Sequence, residues 1–126
     1  MTKIPASTFV FGLAIAGRAV ATSLRERGIE VLVGDDKLTD EHQSFAQSIG
    51  AQVVDIARVG ELQRVMSSVG VLSPAPGVPE DHGVIQSART NGVSIQSEIE
   101  IAYRMELLRS DGPRPMVAIT GTDGKT

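Results

Sequence analysis

Apolar and polar positions along this chain repeat in one order: a short apolar run, then a longer stretch with helical spacing. Thr8-Phe9-Val10-Phe11 is rich in strand formers and ends at Gly12. From Ile15 to Arg27, Ala16, Val20 and Leu24 recur every four residues, with Ile15 and Ala19 beside them. That spacing predicts a helix with one apolar face, stopped by Gly28. Glu30 to Val33 predicts a second strand, running into Gly34-Asp35-Asp36. Asp40 is placed to cap a helix through about Ser48, which Gly50 ends. Ala51 to Val54 predicts a third strand, Glu61 to Ser68 a short helix, and Gly70-Val71-Leu72 a fourth strand. Ser73 to Pro79 holds three prolines, which predicts a rigid loop rather than helix or central strand. Val84 to Thr90 predicts a helix, Asn91-Gly92 a turn, and Val93 to Gln96 a fifth strand. Ser97 then caps a helix from Glu98 to about Leu108, with Ile99, Ala102, Tyr103 and Leu107 on one face.

Strands separated by helices predict right-handed crossovers and a mostly parallel sheet covered on both faces. The expected class is α/β: a Rossmann-like domain over residues 1–108, a linker over 109–115, and from 116 to 126 the truncated start of a P-loop ATPase domain. Aromatics make up only 3% of residues, so the core must be Val, Ile, Leu and Ala, which suits helices packed closely on a parallel sheet. A net charge of -3 without a basic cluster argues against a nucleic-acid partner. The absence of cysteine excludes disulfides and thiolate metal sites. Lys3, the apolar run Phe9 to Ala16 and Ala19-Val20-Ala21 imitate a secretory signal, but Pro5, Gly12, Gly17 and Arg18 interrupt it. No run approaches the ~20 apolar residues that span a bilayer. No membrane partner and a cytoplasmic location are therefore expected.

Two glycine turns carry the candidate chemistry. Gly12-Leu13-Ala14-Ile15-Ala16-Gly17 lies where a strand gives way to a helix. In the dinucleotide fingerprint the first Gly makes the tight turn, the second admits the pyrophosphate, and the third packs helix on strand. Gly12 and Gly17 fill the first and third places, and Ala14 the second. Asp35 and Asp36 stand after the next strand, where an acid meets a ribose hydroxyl. The second turn, Gly121-Thr122-Asp123-Gly124-Lys125-Thr126, follows the apolar run Met116 to Ile119. It is a short form of the phosphate-binding loop, offering turn, cation and hydroxyl in order, with Ile119 where the full pattern has Gly. The residues by themselves leave three readings open: an ATP-dependent enzyme, a nicotinamide-dependent dehydrogenase fragment, and a non-enzymatic nucleotide-sensing module. His42 and His82 stand isolated and are expected at the surface or in caps, and Glu98 and Glu100 at a helix start are expected to complement the dipole.

Taken together these segments resemble the Mur ligases. The resemblance rests on Gly12 to Gly17, on Ser73-Pro74-Ala75-Pro76-Gly77-Val78-Pro79 with Asp81-His82 after it, and on Ser97-Glu98-Ile99-Glu100-Ile101 followed by Val117 to Thr126. It implies an ATP-dependent amide ligation in peptidoglycan synthesis, joining D-glutamate to UDP-N-acetylmuramoyl-L-alanine through an acyl phosphate. It further implies that Gly121, Thr122, Asp123, Gly124, Lys125 and Thr126 bind ATP, with Lys125 on the β/γ-phosphates and Thr126 on Mg²⁺. The first domain would hold the UDP moiety. Amides of Ile15 and Ala16 beyond Gly12 would meet the diphosphate, Asp35, Asp36 and Lys37 would surround uridine, and Gly77 would allow close approach of its loop. No complete catalytic set is expected in residues 1–126, and the chain by itself is expected to be inactive.

Overall fold

The computed structural model describes residues 7–107 of the chain. Ten elements follow in strict alternation: β1 (Thr8–Phe11), α1 (Ile15–Glu26), β2 (Val31–Gly34), α2 (Asp40–Ile49), β3 (Gln52–Val53), α3 (Glu61–Met66), β4 (Val71–Pro74), α4 (Gly83–Thr90), β5 (Ser94–Ile95) and α5 (Glu98–Leu107). The five strands form one parallel sheet in the order β3-β2-β1-β4-β5. The expected α/β, Rossmann-like arrangement is therefore present. The linker over 109–115, the sixth strand and the second glycine turn lie outside the described residues.

Strand alternation sends side chains to two cores. Phe9, Phe11, Leu32 and Leu72 pack with Val65 and Met66 of α3 and with Val84, Ile85 and Ala88 of α4. Val10, Val31 and Val33 face the other way, onto Ala21 and Leu24 of α1, Ala46 of α2, and Ile101 and Met105 of α5. Both faces of the sheet are covered, as an all-parallel sheet requires. Each fully buried aliphatic or Phe side chain contributes roughly 1.5–3 kcal/mol. Among the described residues no helix is long and apolar enough to cross a membrane.

Four expectations need correction. On α1 the buried residues are Gly17, Ala21 and Leu24, whereas Ile15 is 89% exposed. The packed face is thus turned by about one residue from the Ala16–Val20–Leu24 stripe, because close approach to the sheet selects small residues over bulky ones. On α5, Ile99 and Tyr103 are exposed while Ile101 and Met105 are buried. That helix carries two apolar stripes, and docking beside α1 chooses the other one. The cap of α2 is Thr39, whose hydroxyl receives the His42 N–H at 3.2 Å, and Asp40 sits in the first turn instead. Finally, β4 runs through Ser73 into Pro74, which pairs with Phe11. Proline is tolerated there because strand parity points its nitrogen toward β5, and β5 has already ended at Ile95.

Candidate functional site

The strand order reverses beside β1: the chain first moves outward through β2 and β3, then returns to lay β4 on the other side. In open parallel sheets such a switch point leaves a crevice at the carboxyl ends of the strands, where the loops diverge. Here the crevice is bounded by the glycine turn after β1, the loop after β2 and the loop after β4. Hydrogen bonds stitch its floor. Gly12 N–H donates to Gly34 C=O at 2.9 Å, and Ala75 N–H donates to Phe11 C=O at 2.8 Å.

Two glycines make this closeness possible. Gly12 has φ +99°, and a Cβ there would stand 2.6 Å from the Ala75 Cβ. A Cβ on Gly17 would lie 1.8 Å from the Gly12 carbonyl oxygen. The first glycine makes the turn and admits the β4 loop; the third lets α1 sit directly on the turn. Ala14 between them takes φ −81° and ψ −165°, ordinary extended backbone for an L-residue.

The amino end of α1 opens into this crevice. Ala14 offers it no side-chain cap, and no acidic residue stands in the first turn. Helix amides and the helix dipole therefore present positive potential there, suited to an anion. Ile15 and Ala16 lie in that first turn. Arg18, one turn on, is already committed: its Nε donates to Leu13 C=O at 3.0 Å, and a terminal nitrogen lies 2.8 Å from Glu41 Oε1.

Asp35 and Asp36 divide their work. Asp35 Oδ2 accepts the Leu13 N–H at 2.8 Å and Oδ1 accepts the Lys37 N–H at 3.1 Å, so this carboxylate locks the glycine turn to the loop after β2. Asp36 reaches the other way, its two oxygens lying 2.8 and 3.0 Å from His82 Nε2. His82 is thus not isolated. Its Nδ1 caps α4 by accepting the Val84 N–H at 3.0 Å, and its ring packs on Phe11 with centroids 5.0 Å apart. No pattern in the sequence pairs residues 46 positions apart, and only the fold shows this contact.

The loop after β4 is two successive turns, closed by Val78 N–H to Ala75 C=O and His82 N–H to Pro79 C=O, each 3.0 Å. Pro76 stands second in the first turn, where its fixed φ is favourable. Nothing lies within 4 Å of a Cβ built on Gly77, so packing within the chain does not require glycine there. Ala16, Gly17 and Val20 of α1, Ser73 to Pro76 of β4 and this loop, and Glu98 at the start of α5 line a narrow cleft. A larger groove of about 690 Å³ lies between α1 and α5 and holds none of the predicted site residues.

Gly12, Ile15, Ala16, Asp35, Asp36, Lys37 and Gly77 accordingly lie on segments that follow β1, β2 and β4, at the carboxyl end of the sheet. Gly121, Thr122, Asp123, Gly124, Lys125 and Thr126 lie outside the described residues. Among the described residues no group of three or more His, Asp or Glu could hold a metal ion. The crevice sets helix amides at one end and two carboxylates, each already hydrogen-bonded within the chain, at the other.

Comparison with known proteins agrees with this fold. Over 73% of its length the chain matches the yeast (Saccharomyces cerevisiae) apo saccharopine dehydrogenase with TM-score 0.59 and 18% identity, covering 21% of that chain. It matches glutamyl-tRNA reductase from Methanopyrus kandleri with TM-score 0.56 and 18% identity, over 83% of this chain and 34% of the other. At these identities the likeness concerns the fold alone. No protein-family model matches the chain. Curated relatives are more specific. UDP-N-acetylmuramoylalanine--D-glutamate ligase of Tropheryma whipplei is 35% identical over 120 residues, 95% of this chain and 24% of the relative. Proteins of the same name from Enterococcus hirae and Bacillus pumilus are 32% and 31% identical over 93% of the chain. The chain spans about a quarter of the length of these relatives. Over 93–95% of its own length, then, this chain is similar to proteins named UDP-N-acetylmuramoylalanine--D-glutamate ligase.

Proposed function

We propose that residues 7–107 form the domain that holds the UDP moiety of UDP-N-acetylmuramoyl-L-alanine, in an ATP-dependent ligase that adds D-glutamate during cytoplasmic peptidoglycan synthesis. One observation carries the reading. The uncapped end of α1, the Asp35–Asp36 loop and the loop after β4 meet at the switch point of a parallel sheet. The diphosphate would lie against the amides of Ile15 and Ala16, beside Gly12. Uridine would lie among Asp36, Lys37 and the backbone near Gly77, with Asp35 holding the turn in place. Exposed Ile15 would then be covered by ligand rather than by solvent. The ATP and Mg²⁺ roles belong to Gly121, Thr122, Asp123, Gly124, Lys125 and Thr126: amides around the phosphates, the Lys125 ammonium on their oxygens, and the Thr126 hydroxyl on the metal. What ATP supplies is a phosphoryl group that activates the substrate carboxylate; this chain's part is to orient the UDP-linked end of that substrate.

A dehydrogenase reading shares the fold but fits the turn less well, because Ala14 stands where the fingerprint has its second glycine. Calorimetric titration of one sample with UDP, NADH and ATP separates these readings. UDP should bind and NADH should not. Tight NADH binding with no heat from UDP would sink the proposal.

A further inference from the structure

We propose that His82 is a positioning residue for the nucleotide crevice, tying the loop after β2 to the loop after β4 so that they form one preformed slot for the ring part of a nucleoside diphosphate. The proposal rests on the UDP-binding reading above and adds a residue to it. Both ring nitrogens of His82 are engaged on different elements. Nδ1 receives the Val84 N–H at 3.0 Å, and Nε2 lies 2.8 Å from Asp36 Oδ1. Since Nδ1 accepts, the neutral ring carries its proton on Nε2 and donates it to the carboxylate.

Capping alone does not explain a histidine. Ser, Asp or Asn caps a helix with a shorter side chain. Histidine adds a second polar atom, farther out, and here that atom crosses to a loop 46 residues away in the chain. The ring is set before it reaches Asp36. Its side chain is only 16% exposed and lies against Phe11 at 54° between ring planes, whereas Asp36 is 65% exposed. A fixed donor thus orders a solvent-facing acceptor, which lowers the entropy lost when a ligand docks against the two loops that they join.

The neighbouring carboxylate completes the frame. Asp35 pulls the same loop toward the glycine turn through the Leu13 N–H, while Asp36 pulls it toward α4. With Ala75 N–H bonded to Phe11 C=O, the three loops at the crevice are held at fixed separations. The phosphate end of the slot depends on α1. The ring end depends on the bond between His82 and Asp36.

Two variants divide the roles of the ring. His82→Asn keeps an acceptor near the Nδ1 position but is too short to reach Asp36. His82→Gln reaches Asp36 but places no acceptor for the Val84 N–H. Each is titrated calorimetrically with UDP and with inorganic pyrophosphate, and its urea midpoint is measured. H82N should bind UDP about five-fold more weakly, as expected when the ligand rather than the protein must order one exposed carboxylate side chain. Its pyrophosphate affinity should match the wild type, while its urea midpoint falls modestly with the loss of the ring's packing on Phe11. H82Q should recover UDP affinity while its midpoint falls. The proposal is overturned if H82N binds UDP as well as the wild type does. It is equally overturned if H82N loses UDP and pyrophosphate in parallel with its stability, since that is the behaviour of a purely structural residue. A wild-type chain that binds pyrophosphate but not UDP sinks the underlying uridine reading as well, and so is distinguishable from failure of the His82 role alone.

Discussion

Replacing Gly17 by Ala tests the closest contact in the fold, and its sign runs against helix propensity. Within a helix Ala is favoured over Gly by about 1 kcal/mol. At this position the new Cβ would fall 1.8 Å from the Gly12 carbonyl oxygen, where real Cβ contacts essentially never come under 3.0 Å. The two elements must therefore separate by at least about 1.2 Å. Gly12 has little room to yield, being bonded to Gly34 C=O and pressed against Ala75. The helix has to move instead, lifting Ala21 and Leu24, both fully buried, off the sheet. Overpacking of this kind costs about 1–3 kcal/mol, with lost burial of the displaced side chains added to it. After the propensity gain, a net loss of roughly 2 kcal/mol is expected. Urea unfolding at 25 °C, followed by far-UV circular dichroism, should place the G17A midpoint lower by about 0.7–2 M, with an unchanged slope. Gly83→Ala supplies the control. Gly83 also lies in a helix, but nothing stands within 4 Å of its added Cβ, so this variant should gain about 0.4–1 kcal/mol. A G17A midpoint at or above the wild type would refute the close packing of α1 on the glycine turn.

Two further outcomes follow from local chemistry. Thr39→Ala removes the hydroxyl that receives the His42 N–H and should cost about 1 kcal/mol, with faster amide exchange in the first turn of α2. Unchanged exchange at His42 would contradict the capping geometry. The hydrogen bond from Arg64 holds the Glu61 carboxyl below its ordinary value. Because the folded value is the lower one, the pair's contribution is present above the unfolded pKa and lost as pH falls through the folded one. The Glu61 side-chain carbon, followed by NMR, should titrate below a peptide glutamate and shift upward in the Arg64→Gln variant.

The placement of the candidate site's segments is legible in the chain because their signals are local. A glycine turn after an apolar run, an acid after the next strand and a proline-rich loop each announce themselves within a few residues. Topology then carries them to the carboxyl end of the sheet. His82 is legible only as a surface or capping residue, since its second partner comes from a distant loop. Its position after β2 marks Asp35 as ligand-facing, yet both of its oxygens accept backbone amides. A sequence shows that a carboxylate is present, not which donors have already taken it.

The order of elements and the parallel α/β class follow from residue order alone, because alternation, helical spacing and turn residues act over one element at a time. The packed arrangement decided the rest. It chose Gly17–Ala21–Leu24 over the bulkier stripe on α1, selected Ile101 and Met105 on α5, and admitted Pro74 at the end of β4. Each choice depends on which surface approaches from elsewhere in the chain: a helix with two apolar stripes offers both, and only the neighbour it docks against determines which is buried.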